Sequence, residues 1–339
     1  MDAQVVDAPP RQRRRNSLLR LGGLYAITLV AVVTLVFLLP RMMPGDPLSA
    51  LEDPDAGYFI SDPEVRERVL AYYGLDGPLH RQYLGYLGSV ATGDLGWSVS
   101  RNAPVARLIG AHLPWTLLLM GLALGLSAAV SYVAGIIAAW YRGRGADRLV
   151  LLTLTALRGV PEYALAALLL IGLSVLLQVF PLFGAYTPFA EYGSVFEQIG
   201  DIAYHLALPL TALTLSMLGT TFLLVRNTAV SELGQDYMLL AKAKGLPVRR
   251  QQFRHVGRNA LLPFLTVTAL QVGTAAGGSV FVEAVFAYPG MGVLILDAVE
   301  ARDYPVLEAV FLALAITVLV ANFVIEAVYR RLDPRVGAE

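Results

Sequence analysis

Six long apolar runs limit what this chain can fold into: Leu21–Leu39, Leu113–Tyr141, Tyr163–Phe180, Ile202–Val225, Ala260–Val282 and Val306–Ile325. A helix crosses a bilayer core of about 30 Å with about 20 mostly apolar residues, each rising 1.5 Å. The second run is longer than that, so it tilts or protrudes. The sixth carries Glu308 near its start, which softens its boundary. Five or seven spans are the alternatives to six. Only 15% of the 339 residues are charged, where soluble domains carry roughly 25%. The expected fold class is therefore all-α: a polytopic membrane protein of about six transmembrane helices with one sizeable loop outside the membrane.

Basic residues orient such a chain, because they are retained on the cytoplasmic side. Arg11, Arg13, Arg14, Arg15 and Arg20 precede the first run, and Arg142, Arg144 and Arg148 follow the second. Arg226, Lys242, Lys244, Arg249, Arg250, Arg254 and Arg258 lie between the fourth and fifth. Arg330, Arg331 and Arg335 follow the sixth. With six spans all of these fall on one side, and Glu52-Asp53-Pro54-Asp55 falls on the other. Both termini are then cytoplasmic. A cleaved signal peptide would need a small-x-small site after its apolar core. None follows Leu39, so the first run reads as a retained span. The chain divides into a tail (1–20), a first span (21–39), an extracytoplasmic region (40–112), a core of five spans (113–329) and a second tail (330–339). The core includes a cytoplasmic loop at 229–259.

The region 40–112 opens with PGDP (44–47), a turn signal, and is too long for a mere connector. Tyr72, Tyr73, Tyr83, Tyr86 and Trp97 are interspersed there with glycines. They suit either an interfacial belt or a docking face for a soluble partner. Short helices are expected at Pro63–Tyr73 and Leu79–Val90, and no strand pattern stands out. Between the last two spans, YPGMG (288–292) must break the helix. Irregular backbone at membrane depth needs cover from protein or a water-filled cavity, which points to a passage lined by this segment.

The sequence has no GxxxxGK[ST], HExxH or GxSxG pattern, and no Cys. Nucleotide binding and these hydrolase chemistries therefore lack their residues. His80, His112, His205 and His255 show no ligand spacing. An enzyme is not expected, nor a cofactor, a metal site or a nucleic-acid partner. Ion-coupled transport needs ionisable groups inside the bilayer. The candidates are Arg158 with Glu162, Glu283, and Glu326 beside Arg330. Arg158 and Glu162 flank Pro161 and, being four apart, would pair on one helix face. Glu283, just after the fifth span, is the best placed to meet a solute. GLALG (121–125) and GTAAGG (273–278) put small residues four apart, where helices can approach closely.

QDYMLLAKAKGLPVRR (235–250) is short, basic and bounded by Gly and Pro. Asp236 can cap a helix Tyr237–Lys244, Gly245 can end it in a left-handed conformation, and Pro247 can open the next helix. A helix this short needs tertiary or partner contacts to persist. Tyr237, Leu240, Ala241 and Lys244 share one face, small and apolar with basic edges, which suits docking in a groove. The alternative is a basic loop lying on anionic headgroups.

This stretch, followed by RHVGRNALLP (254–263), resembles the cytoplasmic coupling loop of ABC importer permeases of the dipeptide/oligopeptide branch. PGDP, LDGPLHRQYLGYL (75–87), GDLGWS (93–98), HLALPLTALTL (205–215), GGSVFVEAVFAYPGMG (277–292), RDYP (302–305) and LDPR (332–335) match that branch in order. The resemblance implies a type I importer fold in the bacterial cytoplasmic (inner) membrane, with the chain forming half of a translocation pathway. It implies a homologous second permease subunit, two cytoplasmic ATP-binding subunits and an extracytoplasmic substrate-binding protein. It assigns ATPase coupling to Asp236, Tyr237, Leu240, Ala241, Lys244, Gly245, Arg254, Asn259 and Pro263. Pathway or gate candidates are Glu283, Phe286, Tyr288, Pro289, Arg158 and Glu162. Peptides are the implied solutes, with haem, metal chelates and glutathione as alternatives. A secondary transporter would need buried ionisable chains or inverted repeats, and neither is evident. The chain departs from the family at Leu239-Leu240-Ala241, where the general motif has Glu before two alanines, and at Gly159 and Glu162 around Pro161.

Overall fold

The computed structural model describes residues 11–42, 77–98 and 100–332, with positions 64, 67, 68 and 71 between them. PGDP (44–47), the acidic run at 52–55, the tyrosines at 72 and 73, and LDPR beyond position 332 lie outside the described residues. Ten helices organise the rest: α1 (Arg11–Arg41), α2 (Leu79–Thr92), α3 (Val105–Trp140), α4 (Gly145–Arg158), α5 (Glu162–Leu169), α6 (Val195–Leu233), α7 (Asp236–Ala243), α8 (Val248–Val285), α9 (Met291–Glu300) and α10 (Tyr304–Leu332). α5 continues as a π-helix over Leu170–Leu176, and α8 contains a π-helical stretch at Gln251–Gly257. A two-residue antiparallel pair that the sequence does not announce, Trp97–Ser98 with Ala103–Pro104, leads into α3.

Among the described residues, five helices are long and apolar enough to cross a membrane, and the bent pair Gly145–Arg158 with Glu162–Leu176 makes a sixth crossing if counted as one. Packing decides the count. α3 and α6 run side by side along most of their length. Trp115 lies beside Tyr186, just before α6, while a Cβ on Gly135 would come within 2.9 Å of Val225. The two helices are therefore parallel, and α4 and α5 together must return the chain to the far end. α8 runs against α3, because Gly257 abuts Tyr132 and Ile136 while the Glu283 end sits at Thr116. α10 runs against α1, with Arg41 paired to Glu308 at one end and Tyr25 bonded to Glu326 near the other. The chain thus passes six times between a basic end, where α1 begins and α10 stops, and an opposite end.

The expected third span, Tyr163–Phe180, is corrected by this geometry. Gly159 and Pro161 bend the path by 109° between α4 and α5. Proline removes a backbone donor and disfavours helix in the residue before it, which accounts for the break. Arg158 and Glu162 consequently lie on different helices, and no ion pair joins them among the described residues. Spacing of four brings side chains together only on a continuous helix.

The main core joins Leu119, Met120 and Ala123 of α3 to Leu213 and Met217 of α6, Ala275 and Val282 of α8, and Tyr288. A second cluster packs α9 (Met291, Leu294) on α10 (Leu307, Val310) and the start of α3 (Val105, Ile109). Large apolar side chains point outward from α1 (Ile27, Val30), α4 (Leu149, Leu152), α5 (Leu168) and α10 (Val320, Phe323). Lipid can solvate such surfaces at no cost, unlike water. A Cβ added at Gly121, Gly125, Gly273 or Gly277 would meet nothing within 4 Å beyond its own helix backbone. Within GTAAGG it is Gly278 that is approached, a Cβ there meeting Glu162 and Leu213 at 3.4 Å. Closer approaches occur at Gly135 and at Gly219, where a Cβ would come within 2.7 Å of the Leu154 carbonyl oxygen.

Candidate functional site

At the basic end, α6 stops at Leu233 with Gly234 as its C-cap, and Gln235 is the N-cap of α7. Asp236 is thus the first residue of the helix, not its cap, and makes no capping bond. Its carboxylate still sits where the helix dipole favours negative charge. The helix is Asp236–Ala243, one residue earlier than Tyr237–Lys244, and Lys244 is its C-cap. Gly245 takes φ +63°. Its N–H donates to the Lys242 carbonyl at 2.9 Å, and the Leu246 N–H donates to that of Ala241 at 3.3 Å. This pair of bonds is a Schellman closure, which places the residue after the cap in the left-handed region. Pro247 then caps α8, which runs without a break into the fifth membrane span.

Three side chains hold α7 in place. Tyr237 Oη donates to Glu232 Oε2 at 2.5 Å, and Asn259 Nδ2 donates to the same oxygen at 2.9 Å and to Tyr237 Oη at 3.0 Å. One residue from the end of α6, one from α7 and one from α8 therefore meet. Burial first, and the Glu232 carboxylate second, push the Tyr237 phenol up to about 12, so it remains a donor. Met238 is fully buried with Ala139, Ala229 and Val256. Ala241 is buried as well, at 4% exposure. The expected face of Tyr237, Leu240, Ala241 and Lys244 is divided: Ala241 turns toward the rest of the chain, while Leu240 and Lys244 stay exposed. Leu239 is exposed beside Leu240, at 65% and 56%, flanked by exposed Lys242 and Lys244. Arg254 is exposed on the π-helical stretch of α8, and Pro263 is half-buried farther along that helix. Nearby, Arg226 Nε and Nη2 donate to the two Asp147 oxygens, each at 2.8 Å, tying α6 to the first turn of α4. Burial and this bidentate bond make the pair a strong tether.

At the opposite end lies the YPGMG segment. Glu283 does not follow the fifth span but lies inside α8, and it is fully buried. The Gly292 N–H donates to Glu283 Oε2 at 2.6 Å, and the Met291 N–H donates to Thr116 Oγ1 at 2.7 Å. The orphan donors at the start of α9 are thus capped from two other helices. Phe286 and Tyr288 are buried in the main core, and Pro289 is half-buried. Within the chain the segment packs as a clasp between α8, α9 and α3. Arg158 is exposed near Gly219, while Glu162 lies against Gly278.

The sequence reading missed Glu232, Thr116 and the Arg41–Glu308 pair. Glu232 offered one signal, an acid three residues before QDY; Arg41 and Glu308 are separated by 267 positions and offered none.

A family model described as binding-protein-dependent transport system inner membrane component matches residues 131–338. The chain is 35% identical over 322 residues to a putative peptide permease of Brucella ovis, spanning 94% of this chain and 96% of that protein. It is 36% identical over 310 residues to the oligopeptide transport system permease AppB of Bacillus subtilis, spanning 91% and 95%. It is 35% identical over 317 residues to the glutathione transport system permease GsiC of Escherichia coli K12, spanning 94% and 97%.

Proposed function

Because this chain belongs to the binding-protein-dependent transport system inner membrane components, the integral membrane permeases of ABC importers, we propose that α7 is its coupling helix and receives force from an ATPase subunit. The family's permeases are not themselves catalytic, so the energy comes from partners. The basic end is the cytoplasmic one, with both termini there, and the opposite end is outer. One chain supplies half of a pathway, beside a homologous second permease. Two ATP-binding subunits attach at the basic end, and a soluble binding protein delivers solute at the outer end. The solute is a di- or oligopeptide, in keeping with the names of the relatives, and glutathione is a peptide of the same class.

The observation that carries this reading is the exposed pair Leu239 and Leu240 on a helix whose other face is anchored by Met238, Ala241 and the Tyr237–Glu232–Asn259 cluster. An apolar pair exposed in the aqueous phase, rimmed by lysines, has the composition of an anchor for a partner's pocket. An anchored helix transmits displacement to α6 and α8, the two spans it joins. The chain has no Cys, so Leu240→Cys gives a single reactive site. In the assembled importer it cross-links to a cysteine in the ATPase groove, and the yield changes when ATP is added. Cross-linking to lipid probes alone, with none to the ATPase, would overturn the docking.

A further inference from the structure

A half-open cavity of about 370 Å³ lies at the outer end, between α2, the end of α1 and the start of α10. That size falls in the range of small-ligand sites, roughly 300–1,000 Å³. The Arg41–Glu308 ion pair is part of its lining and is almost entirely buried. Arg41 also donates to the Phe37 carbonyl at 2.7 Å and to Gln82 Oε1 at 3.0 Å, and its guanidinium stacks 3.6 Å from the Phe37 ring centroid. The pair is therefore satisfied and neutral as a unit. Tyr86, beside the pair, also lines the cavity, and its buried hydroxyl has no hydrogen-bond partner among the described residues.

Arg81 and Asp94 also line the cavity; both are exposed, and Asp94 Oδ1 accepts from the Gly96 N–H at 3.0 Å. Arg81 lies in the first turn of α2, and Asp94 follows just past its C-cap. Neither has an ion-pair partner among the described residues. At 1.5 Å per residue, the helix from Arg81 to Thr92 is roughly 16 Å long. The wall between them includes Gly85, where a Cβ would meet nothing within 4 Å.

We propose that this cavity binds a short zwitterionic peptide, with its carboxylate at Arg81 and its ammonium at Asp94. An extended chain advances roughly 3.3–3.6 Å per residue, so three or four residues, helped by the reach of the arginine, cover the span. A phosphatidylethanolamine headgroup carries both charges, but a two-carbon link cannot hold them at opposite ends of the cavity. A neutral sugar leaves both charges unused. The physiological identity of the peptide rests on the solute class proposed above, whereas the site itself rests on the cavity.

The test uses the full chain reconstituted with its partner subunits in nanodiscs, without the soluble binding protein. Trialanine and its N-acetylated, C-amidated form are titrated while hydrogen exchange is followed over residues 79–96. Trialanine slows exchange there and the capped form does not. Arg81→Gln and Asp94→Asn each weaken binding about tenfold, the loss of one charge-assisted contact. Gly85→Leu fills the cavity from a solvent-facing helix position, improves helix propensity and abolishes the protection. No protection by trialanine, equal protection by the capped peptide, or unchanged binding in Gly85→Leu overturns the proposal. So does protection that appears in phosphatidylethanolamine nanodiscs without peptide, which assigns the cavity to a lipid headgroup. Peptide-stimulated ATP hydrolysis is measured in parallel after the soluble binding protein is added back. Trialanine binding here with no stimulation by any peptide leaves the site standing and removes the substrate reading.

Discussion

Glu283 shows how a residue's role depends on what reaches it. Taken as a lone acid at a span border, it reads as a solute contact; in the fold its carboxylate caps the start of α9. The glycines of YPGMG serve the same clasp, since a Cβ on Gly292 would lie 2.6 Å from the Val280 Cα, a backbone atom that cannot step aside. Gly292→Ala is therefore expected to cost about 2 kcal/mol or more from overpacking. Glu283→Ala should cost about 1–3 kcal/mol by stripping a buried donor of its partner. Thermal unfolding of the purified importer checks both, and a native melting temperature in either variant contradicts the clasp. Tyr237 carries a second expectation. Its raised folded value favours the phenol, so its contribution is complete below 10.0 and is lost as pH rises through 10.0 to about 12. The tyrosinate absorbance difference between wild type and Tyr237→Phe should stay flat through neutral pH and appear only in that alkaline window. Neither acid could be assigned from sequence, because Thr116 and Asn259 reach them from other helices.

At the scale of elements, short-range signals were legible and long-range ones were not. Gly245 ends α7 in the left-handed region as its sequence context implies, because that conformation is a local property of one residue. The same local reasoning saw Pro161 but not the 109° bend, whose direction depends on how α4 packs against α6 through Gly219. It also assigned Ala241 to a partner, because periodicity fixes which residues share a face but not which way the face turns. The cap itself can be tested without steric confusion, since a side chain at Gly245 would meet nothing within 4 Å. Any effect of substitution is then backbone strain. Gly245→Asn should keep near-native uptake, because Asn tolerates this conformation, whereas Gly245→Val should lose roughly 1–2 kcal/mol of local stability and much of the coupling. Uptake and ATPase copurification measure this, and equal behaviour of the two variants contradicts the role of the cap.

At the scale of the whole molecule, the arrangement turns on whether α4 and α5 cross the membrane together. The parallel course of α3 and α6 requires that they do, and the even number of passes then gathers the arginine-rich segments at one end. Charge bias and packing are independent arguments, the first from insertion energetics and the second from side-chain contact, and they agree. The Cys-free chain makes the topology measurable one site at a time. Ala91 on α2, Glu191 before α6 and Ser231 near the end of α6 are all exposed. An impermeant maleimide applied to intact cells should label Ala91→Cys and Glu191→Cys but leave Ser231→Cys unreacted until the membrane is permeabilised. If α4 and α5 instead re-enter and leave on the same side, Glu191→Cys becomes protected while Ser231→Cys reacts from outside. That pattern would place α7 beyond the reach of any cytoplasmic ATPase and remove the coupling role with it. One labelling experiment therefore tests the six-pass architecture and the direction of force transmission together.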